Sequence, residues 1–310
     1  MQEAKELNPD YIMHDSFAVW GKIIAQNLRL PAISFITTYA HNKRTFLAFP
    51  ELYMPILKTT VKDSPKLFYA YGIYTLLATK HKAILGGPGE IMICKEKLNI
   101  VFTVPSLQPK IKTFAKTFKF VGPSIRPRNI KDGLNDSFSG GKKIIYISYG
   151  TVINDDISFF KKCVRAFTNT DYNVVISLGN KFEINEIPDL PKNIIVKKYI
   201  DQLSILQKAS LFITHAGMNS VTESLYFGVP MILIPDTDEQ RFNALSVERA
   251  GAGVILEKKN LTAQILFETS NHVLRSSQII KKAKAIQKEF QEAGGYKEAV
   301  KSIYNFLQLS

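Results

Sequence analysis

The chain has 310 residues, enough for two domains that each have a hydrophobic core. Hydrophobic residues make up 45% and charged residues 22%, which excludes a disordered chain and fits a globular protein. The formal net charge is +13, but the lysines are scattered and form no nucleic-acid-binding module, so we predict no nucleic-acid partner.

The cysteines and the apolar runs indicate the cellular compartment. Cys94 and Cys163 lack metal-type spacing, which disfavours a zinc site or a disulfide framework and fits a reducing cytoplasm. No apolar run reaches the length of a membrane span, and residues 1–20 lack the features of a signal peptide. We therefore predict a cytoplasmic protein, with weak contact to an anionic membrane surface as a minor alternative.

The first part of the chain alternates strands and helices. Residues 11–13 and 32–36 read as buried strands around a helix over 17–28, a βαβ unit that implies a parallel sheet. Further strands are predicted over 98–104 and 119–121. The aromatic and lysine-rich residues 50–83 have helix-like spacing and would either form a satellite helix that packs on the domain or help line a ligand pocket.

The second part repeats this alternation after a linker rich in Pro, Gly, Asn and Asp, residues 123–143. We predict a first domain over 1–122, a second over 144–293, and a closing segment, 294–310, with a last helix after Gly294-Gly295. The strands are expected at 144–148, 173–177, 194–196, 211–214 and 231–234. No G-x-G-x-x-G fingerprint follows the first of them, which argues against a dinucleotide cofactor.

The most informative stretch of this second part begins at Leu211-Phe212-Ile213 and breaks at Thr214-His215-Ala216-Gly217. An apolar run, small polar residues and then helix formers predict a strand, a tight turn and a helix. The start of such a helix favours an anion, because its amide N–H groups are unpaired and the dipole is positive there.

The helix over 218–227 has two distinct faces. At about 100° per residue, Met218, Val221, Thr222 and Leu225 lie on a packing side, opposite Asn219, Ser220 and Glu223. Glu223 would lie one turn beyond the anion-binding end, about the step from a nucleotide diphosphate to its ribose hydroxyls. The alternative is a capping box of Ser220 with Glu223 that only stabilises the helix.

Neighbouring motifs favour the nucleotide interpretation. An aromatic-x-x-Gln element precedes the strand, His-x-Gly-x-Asn-Ser-x-x-Glu spans 215–223, and Gly-Val-Pro and Glu-Gln follow at 228–230 and 239–240. Together they resemble the donor-sugar signature of the inverting UDP-glycosyltransferases of the GT-B fold, in particular the bacterial macrolide-glycosyltransferase branch. Phe120-Val121-Gly122-Pro123 and Ser148-Tyr149-Gly150-Thr151 resemble this family's domain boundary and first C-domain turn.

This resemblance, which covers nearly the whole chain, implies an α/β protein of GT-B fold with two Rossmann-like doubly wound domains. It also implies a base-binding element, in which Tyr199 would stack on the uracil ring in place of the Trp of many relatives. Ile200 would offer backbone groups to the base edge, and Gln202 would reach the base or the ribose.

The remaining implied roles follow the donor from the diphosphate to the sugar. His215 would donate to the diphosphate, and Glu223 would bind the ribose hydroxyls. Glu239 and Gln240 would hold hydroxyls of the sugar. The other implied donor-binding residues surround the diphosphate: Thr151, Gly217, Asn219 and Ser220.

The general base of the resembled family is a histidine in the first turn of its N-domain. Nothing like it precedes Pro9-Asp10, so we expect an N-terminal domain that is incomplete by about a hundred residues. Asp15 matches the carboxylate that orients this histidine. His14 lies beside it but should point to the opposite face, and His41 cannot be placed as a base.

Asp236-Thr237-Asp238 spells a D-x-D pattern, which in another glycosyltransferase fold holds a divalent metal. A solvated turn is the simpler interpretation, because a helix end already supplies counter-charge and hard cations prefer more oxygen ligands. We therefore predict no metal and no cofactor, with the UDP-sugar as co-substrate.

The predicted function is transfer of a hexose from a UDP-sugar to a hydroxyl of a small, largely apolar acceptor, with inversion and little turnover if the base is missing. The alternative is a non-catalytic UDP-sugar-binding subunit or helper that needs a complementing N-terminal segment. A UDP-sugar epimerase is disfavoured, because the aromatic-x-x-Gln and Glu239-Gln240 elements belong to the transferase pattern.

Overall fold

A computed structural model describes residues 2–42, 44–45, 48–49, 64–81, 83, 94–125, 141–150, 156–187 and 189–308. The chain divides into two compact units. The first comprises Met1–Ser124 together with Glu292–Ser310, and the second comprises Ile125–Gln291. Most of the predicted linker, residues 126–140, lies outside the described residues.

The first unit is a parallel sheet with helices. Its elements, in chain order, are α1 (Gln2–Glu6), β1 (Ile12–Asp15), α2 (Val19–Leu28), β2 (Ala32–Ile36), α3 (Ser64–Lys80), β3 (Leu98–Val101), a 3₁₀ turn (Ile111–Thr113), β4 (Phe118–Phe120) and α10 (Gly295–Gln308). The four strands lie in the order β1-β2-β3-β4, and every neighbouring pair is parallel.

The core of the first unit includes a residue from the last helix. Ile33 of β2, Leu98 and Ile100 of β3 and Val121 are buried around Ala299 of α10. The backbone N–H of Gly295, at the start of α10, donates to the carbonyl of Val121 at 2.7 Å. The fourteen residues of α10 therefore complete the hydrophobic core of a sheet formed nearly two hundred residues earlier.

The second unit is a larger α/β domain. Its elements are β5 (Ile144–Ser148), α4 (Ile157–Phe167), β6 (Asn173–Ser177), a 3₁₀ turn (Ile184–Glu186), β7 (Ile194–Lys197), α5 (Gln202–Leu206), β8 (Ala209–Thr214), α6 (Met218–Tyr226), β9 (Met231–Leu233), α7 (Asp238–Arg249), β10 (Gly253–Ile255), a 3₁₀ turn (Lys258–Asn260), α8 (Ala263–Arg275) and α9 (Ser277–Glu292).

The strand order β10-β9-β8-β5-β6-β7 makes this a doubly wound sheet in which every neighbouring pair is parallel. The first strand of the unit, β5, is central, and the chain moves outward to β7 before it returns to β8. The order therefore reverses between β5 and β8. In open α/β sheets, ligands bind outside the carboxyl ends of the strands at such a reversal.

Apolar composition explains why these segments are central strands. Ile145, Val174 and Ile213 are fully buried, as expected for a parallel sheet covered on both faces. The predicted strands at 144–148 and 173–177 match β5 and β6 residue for residue. The prediction did not name β10 or the helices α1, α5 and α7. Of these, β10, α1 and α5 have few residues.

No helix within the described parts of the chain is both long and apolar enough to cross a bilayer.

Candidate functional site

The carboxyl ends of β5 and β8 carry the first group of candidate site residues. Tyr149 and Gly150 directly follow β5, and His215 follows β8. The two strands pair in parallel, with Ser148 beside Thr214, so both turns leave the sheet at the same edge. The sheet therefore brings together two segments of the predicted signature that are more than sixty residues apart in the chain.

The turn after β8 has an unusual backbone. Ala216 has a φ of 68°, in the left-handed region that residues other than glycine rarely adopt, at a cost of about 1–2 kcal/mol. Gly217 is the N-cap of α6, with an extended conformation and no side-chain cap. The first amide N–H groups of α6 therefore have no side-chain partner at the N-cap, as an anion-binding helix end requires.

Two glycines make room for the His215 imidazole. A Cβ on Gly150, whose φ is 79°, would lie 2.6 Å from Cε1 of the ring. A Cβ on Gly217 would lie 2.7 Å from Nε2. Because neither position can carry a side chain without displacing the ring, the imidazole edge faces glycine backbone on both sides.

Burial sets the protonation of His215. Desolvation lowers its pKa, and the nearby carboxylate of Asp236 opposes this only partly. Nδ1 is buried without a hydrogen-bond partner among the described residues. The Tyr149 ring packs beside the imidazole, with centroids 5.9 Å apart. Because this pKa lies below 6.5, His215 is mainly neutral at pH 7.

The two predicted faces of α6 are present. Met218, Val221, Thr222 and Leu225 are buried, whereas Asn219 is exposed and Ser220 and Glu223 are half-buried. The alternative of a capping box formed by Ser220 and Glu223 is wrong, because the N-cap is Gly217 and no side chain caps it.

Glu223 forms a pair with Gln202. Gln202 donates through Nε2 to Oε2 of Glu223 at 2.7 Å. Burial raises the pKa of Glu223, and the hydrogen bond from Gln202 opposes the increase. The hydroxyl of Tyr146 lies 3.5 Å from Oε1 of Gln202 and donates to it weakly. Two residues to which the resemblance assigns separate roles are therefore one hydrogen-bonded unit.

The aromatic-x-x-Gln element places its residues differently with respect to solvent. Tyr199 is 76% exposed and so offers a ring face to a ligand, whereas Ile200 is buried. Asp201 is the N-cap of α5 and accepts a hydrogen bond from the backbone N–H of Ser204. This cap places Gln202 at the first position of α5.

The Glu239-Gln240 pair lies in the first turn of α7, and its two members differ. Gln240 is buried and forms a capping box with Thr237, because its Oε1 accepts from the backbone N–H groups of Asp236 and Thr237. Glu239 is exposed, and its Oε1 accepts from Nδ2 of Asn243 at 3.0 Å. Gln240 thus has a structural role that the resemblance does not imply.

Asp236 of the D-x-D pattern forms an ion pair with Lys258 at 3.1 Å. The Lys258 ammonium also lies over the Tyr149 ring, 5.1 Å from its centroid. Across the described ranges, no three His, Cys, Asp or Glu side chains gather as ligands for a metal ion.

Sequence reasoning missed two residues of this region, Asn243 and Lys258. Asn243 is four residues after Glu239 on α7, and helical spacing could have identified it as a neighbour of that carboxylate. Lys258 lies eighteen residues beyond Gln240 and carries no local signal. Thr151, the remaining implied donor contact, lies outside the described residues.

The first unit places Asp15 at the carboxyl end of β1. Its Oδ1 accepts from the backbone N–H of Phe17 at 2.8 Å, and its Oδ2 from Oγ1 of Thr37 at 3.3 Å. His14 is buried on the other side of the strand, where Nε2 contacts Glu96 at 3.2 Å. Burial lowers the pKa of His41 to about 4. Nδ1 of His14 contacts the backbone carbonyl of Asp15 at 2.8 Å and not its carboxylate.

Comparison with known proteins is consistent with this geometry. Residues 144–298 match the model of the glycosyltransferase family 28 C-terminal domain. The chain is 35% identical to an uncharacterized UDP-glucosyltransferase, YojK, of Bacillus subtilis (strain 168), over 97% of this chain and 74% of that protein. It is 26% identical to the oleandomycin glycosyltransferase of Streptomyces antibioticus, over 94% of this chain and 66% of that protein.

A solved structure shares the fold. The calicheamicin glycosyltransferase CalG4 superposes with a TM-score of 0.82 at 24% identity, covering 99% of this chain and 78% of that one. The predicted α/β architecture and family resemblance are thereby confirmed. The chain belongs to the GT-B glycosyltransferases of the UDP-glucosyltransferase and macrolide-glycosyltransferase type, and is a sugar-transferring enzyme.

Proposed function

We propose that this glycosyltransferase uses a UDP-hexose as donor and transfers the sugar, with inversion, to a hydroxyl of a small, largely apolar acceptor. The observation that carries the proposal is the arrangement at the carboxyl edge of β5 and β8. There the neutral imidazole of His215, flanked by Gly150 and Gly217, lies at the start of α6. The Gln202–Glu223 pair lies one helical turn further along. No metal ion takes part in the proposed reaction.

The donor would lie along α6. Its diphosphate would accept hydrogen bonds from Nε2 of His215 and from the first amides of α6, with Asn219 and Ser220 beside them. The ribose hydroxyls would donate to Glu223, and the uracil ring would stack on the exposed Tyr199. Glu239, with Nε2 of Gln240, would bind the sugar hydroxyls.

The reaction is a displacement at the anomeric carbon. A deprotonated acceptor hydroxyl attacks that carbon from the face opposite UDP, the bond to the diphosphate oxygen breaks, and UDP leaves with the bonding electrons. The preorganised donors at His215 and the start of α6 stabilise the negative charge that develops on the diphosphate. Asp15 is proposed to orient a general-base imidazole that accepts the hydroxyl proton, a role that the buried His14, which contacts Glu96, does not fill.

Calorimetric titration with UDP tests the donor site. We expect wild-type protein to bind UDP, and no binding at millimolar UDP would overturn the proposal. Glu223→Gln should lower the affinity for UDP about tenfold, because a carboxylate is a stronger hydrogen-bond acceptor than an amide. The same variant should lower the affinity for 2′,3′-dideoxyuridine diphosphate much less, because this analogue lacks the ribose hydroxyls. Equal losses of affinity for the two ligands would contradict the role of Glu223.

Glu268→Gln is the matched control. Glu268 is an exposed residue of α8 that also accepts from a glutamine amide, Nε2 of Gln264, but it is not a site residue. The Glu268→Gln variant should bind UDP with wild-type affinity. Release of UDP from UDP-glucose in the presence of hydroxyl acceptors then measures transfer, whereas donor binding without release under any acceptor condition favours a donor-binding helper chain.

A further inference from the structure

We propose that Asn243 is a positioning residue that couples the diphosphate-binding turn to the carboxylate that binds the donor sugar. This inference rests on the proposed function, because it concerns how that site discriminates a UDP-hexose from UDP. Asn243 is 1% exposed and lies in α7, four residues after Glu239. The motifs quoted for the family resemblance do not include it.

The side-chain amide of Asn243 serves two acceptors. Nδ2 donates to the backbone carbonyl of Ala216 at 2.9 Å and to Oε1 of Glu239 at 3.0 Å. An amide nitrogen has two hydrogens, so both bonds can form together. The same atom therefore holds the turn after β8 and the first turn of α7.

The bond to Ala216 acts on the turn. Ala216 has a left-handed φ of 68° and is fully buried, so its conformation has to be stabilised by its surroundings. A trans peptide is planar, and its C=O and N–H point in opposite directions. Holding the Ala216 carbonyl toward Asn243 therefore directs the N–H of Gly217 away from Asn243, at the end of α6 where the diphosphate is proposed to bind.

The bond to Glu239 acts on the sugar. Glu239 is exposed and would otherwise sample several rotamers, at an entropic cost when it binds a ligand. Asn243 engages Oε1 and leaves Oε2 to accept from a hydroxyl. Fixing the carboxylate in advance lowers the cost of binding the hexose and has no effect on UDP, which lacks it.

The test is a double-mutant cycle that measures UDP and UDP-glucose affinity by calorimetry. We expect Asn243→Ala to weaken UDP binding, through the turn, and to weaken UDP-glucose binding by a further factor of about 2 to 150, the range for contacting residues. In a Glu239→Ala background, Asn243→Ala should still weaken UDP, but the additional loss for UDP-glucose should disappear. Equal losses for both ligands in both backgrounds would overturn the inference.

Asn193→Ala is the control for a merely structural effect. Nδ2 of Asn193 also donates to two acceptors, the carbonyls of Phe167 and Tyr172, at 2.8 and 3.0 Å, in the same unit. It should lower the melting temperature but leave the ratio of UDP-glucose to UDP affinity unchanged. A changed ratio would overturn the inference, because the ratio would then report general destabilisation.

Two further results keep the outcomes separable. If Asn243→Ala does not fold, Asn243→Ser replaces it, since its shorter hydroxyl cannot serve both acceptors and the same ratio must fall. If wild type binds no UDP, the proposed function fails. If wild type binds UDP but the cycle shows no coupling between Asn243 and Glu239, only the positioning role fails.

Discussion

Gln202 at the start of α5 and Glu223 in α6 are joined by a 2.7 Å hydrogen bond across 21 residues of sequence. The bond fixes one carboxylate oxygen of Glu223 and leaves the other available. Burial of this carboxylate is unfavourable for its ionised form and raises its pKa. A residue proposed to bind ribose is therefore one whose charge is costly to the folded protein.

Glu223→Gln is expected to stabilise the protein at neutral pH. Because the folded pKa of Glu223 is raised, its contribution to stability is complete below its ordinary value of 4.5 and is lost as the pH rises through the folded pKa. Glutamine can still accept the bond from Gln202 and carries no charge. Calorimetry should show a higher Tm for the variant at pH 7 and no gain at pH 4. A lower Tm at pH 7 would contradict this.

Gly150→Ala should abolish most UDP binding. Its Cβ would lie 2.6 Å from Cε1 of His215 and must displace the ring, for an expected loss of at least about tenfold in affinity. Gly251→Ala is the control, because its φ of 76° matches the 79° of Gly150 and its nearest atom is a flexible Lys282 carbon at 3.3 Å. Both variants should lose about 1–2 kcal/mol of stability. Equal UDP affinity in the two would refute the steric role.

Gln240 variants should separate capping from sugar binding. Gln240→Glu retains an oxygen acceptor for the N–H groups of Asp236 and Thr237, removes the Nε2 donor and adds a negative charge beside Glu239. We expect it to keep the wild-type Tm and to lose preference for UDP-glucose over UDP. Gln240→Ala should lose that preference and also about 1 kcal/mol of stability in thermal unfolding. If neither variant changes the preference for UDP-glucose over UDP, Gln240 caps α7 and does not bind the sugar.

Tyr199→Ala should weaken UDP without affecting the fold. The ring is 76% exposed, so little packing is lost, whereas stacking of a base on an aromatic ring is worth about 1–3 kcal/mol. The expected loss in affinity is about 5- to 150-fold, with an unchanged Tm. Tyr199→Trp should bind at least as tightly as wild type because its ring is larger. Tyr199→Ala with wild-type affinity would exclude stacking.

Apolar runs and turn residues were enough to predict the strands of both sheets except β10, and the helix at Met218–Tyr226. These elements are determined by local periodicity and burial. The same reasoning predicted that Ala216 and Gly217 lie in a turn, but the left-handed φ of Ala216 was not predictable, since alanine has no preference for that region. Tertiary contacts hold it there.

Side-chain partners were less predictable than elements. The spacing Thr237-x-x-Gln240 is itself a capping-box pattern, yet the donor motif assigned Gln240 to the sugar. Ser220-x-x-Glu223 has the same spacing and forms no cap, because Gly217 begins α6. The two cases differ only in where the helix starts, and element boundaries are poorly determined by sequence patterns.

The packing of α10 against the first sheet has a consequence for the order of events during translation. The second unit, Ile125–Gln291, is continuous and can fold as soon as it leaves the ribosome. The hydrophobic cluster around Ile33 and Ile100 must wait for Ala299, which is synthesised after the whole second unit. During that interval the earlier strands keep an uncovered apolar surface, so premature termination before α10 would yield a protein prone to aggregate.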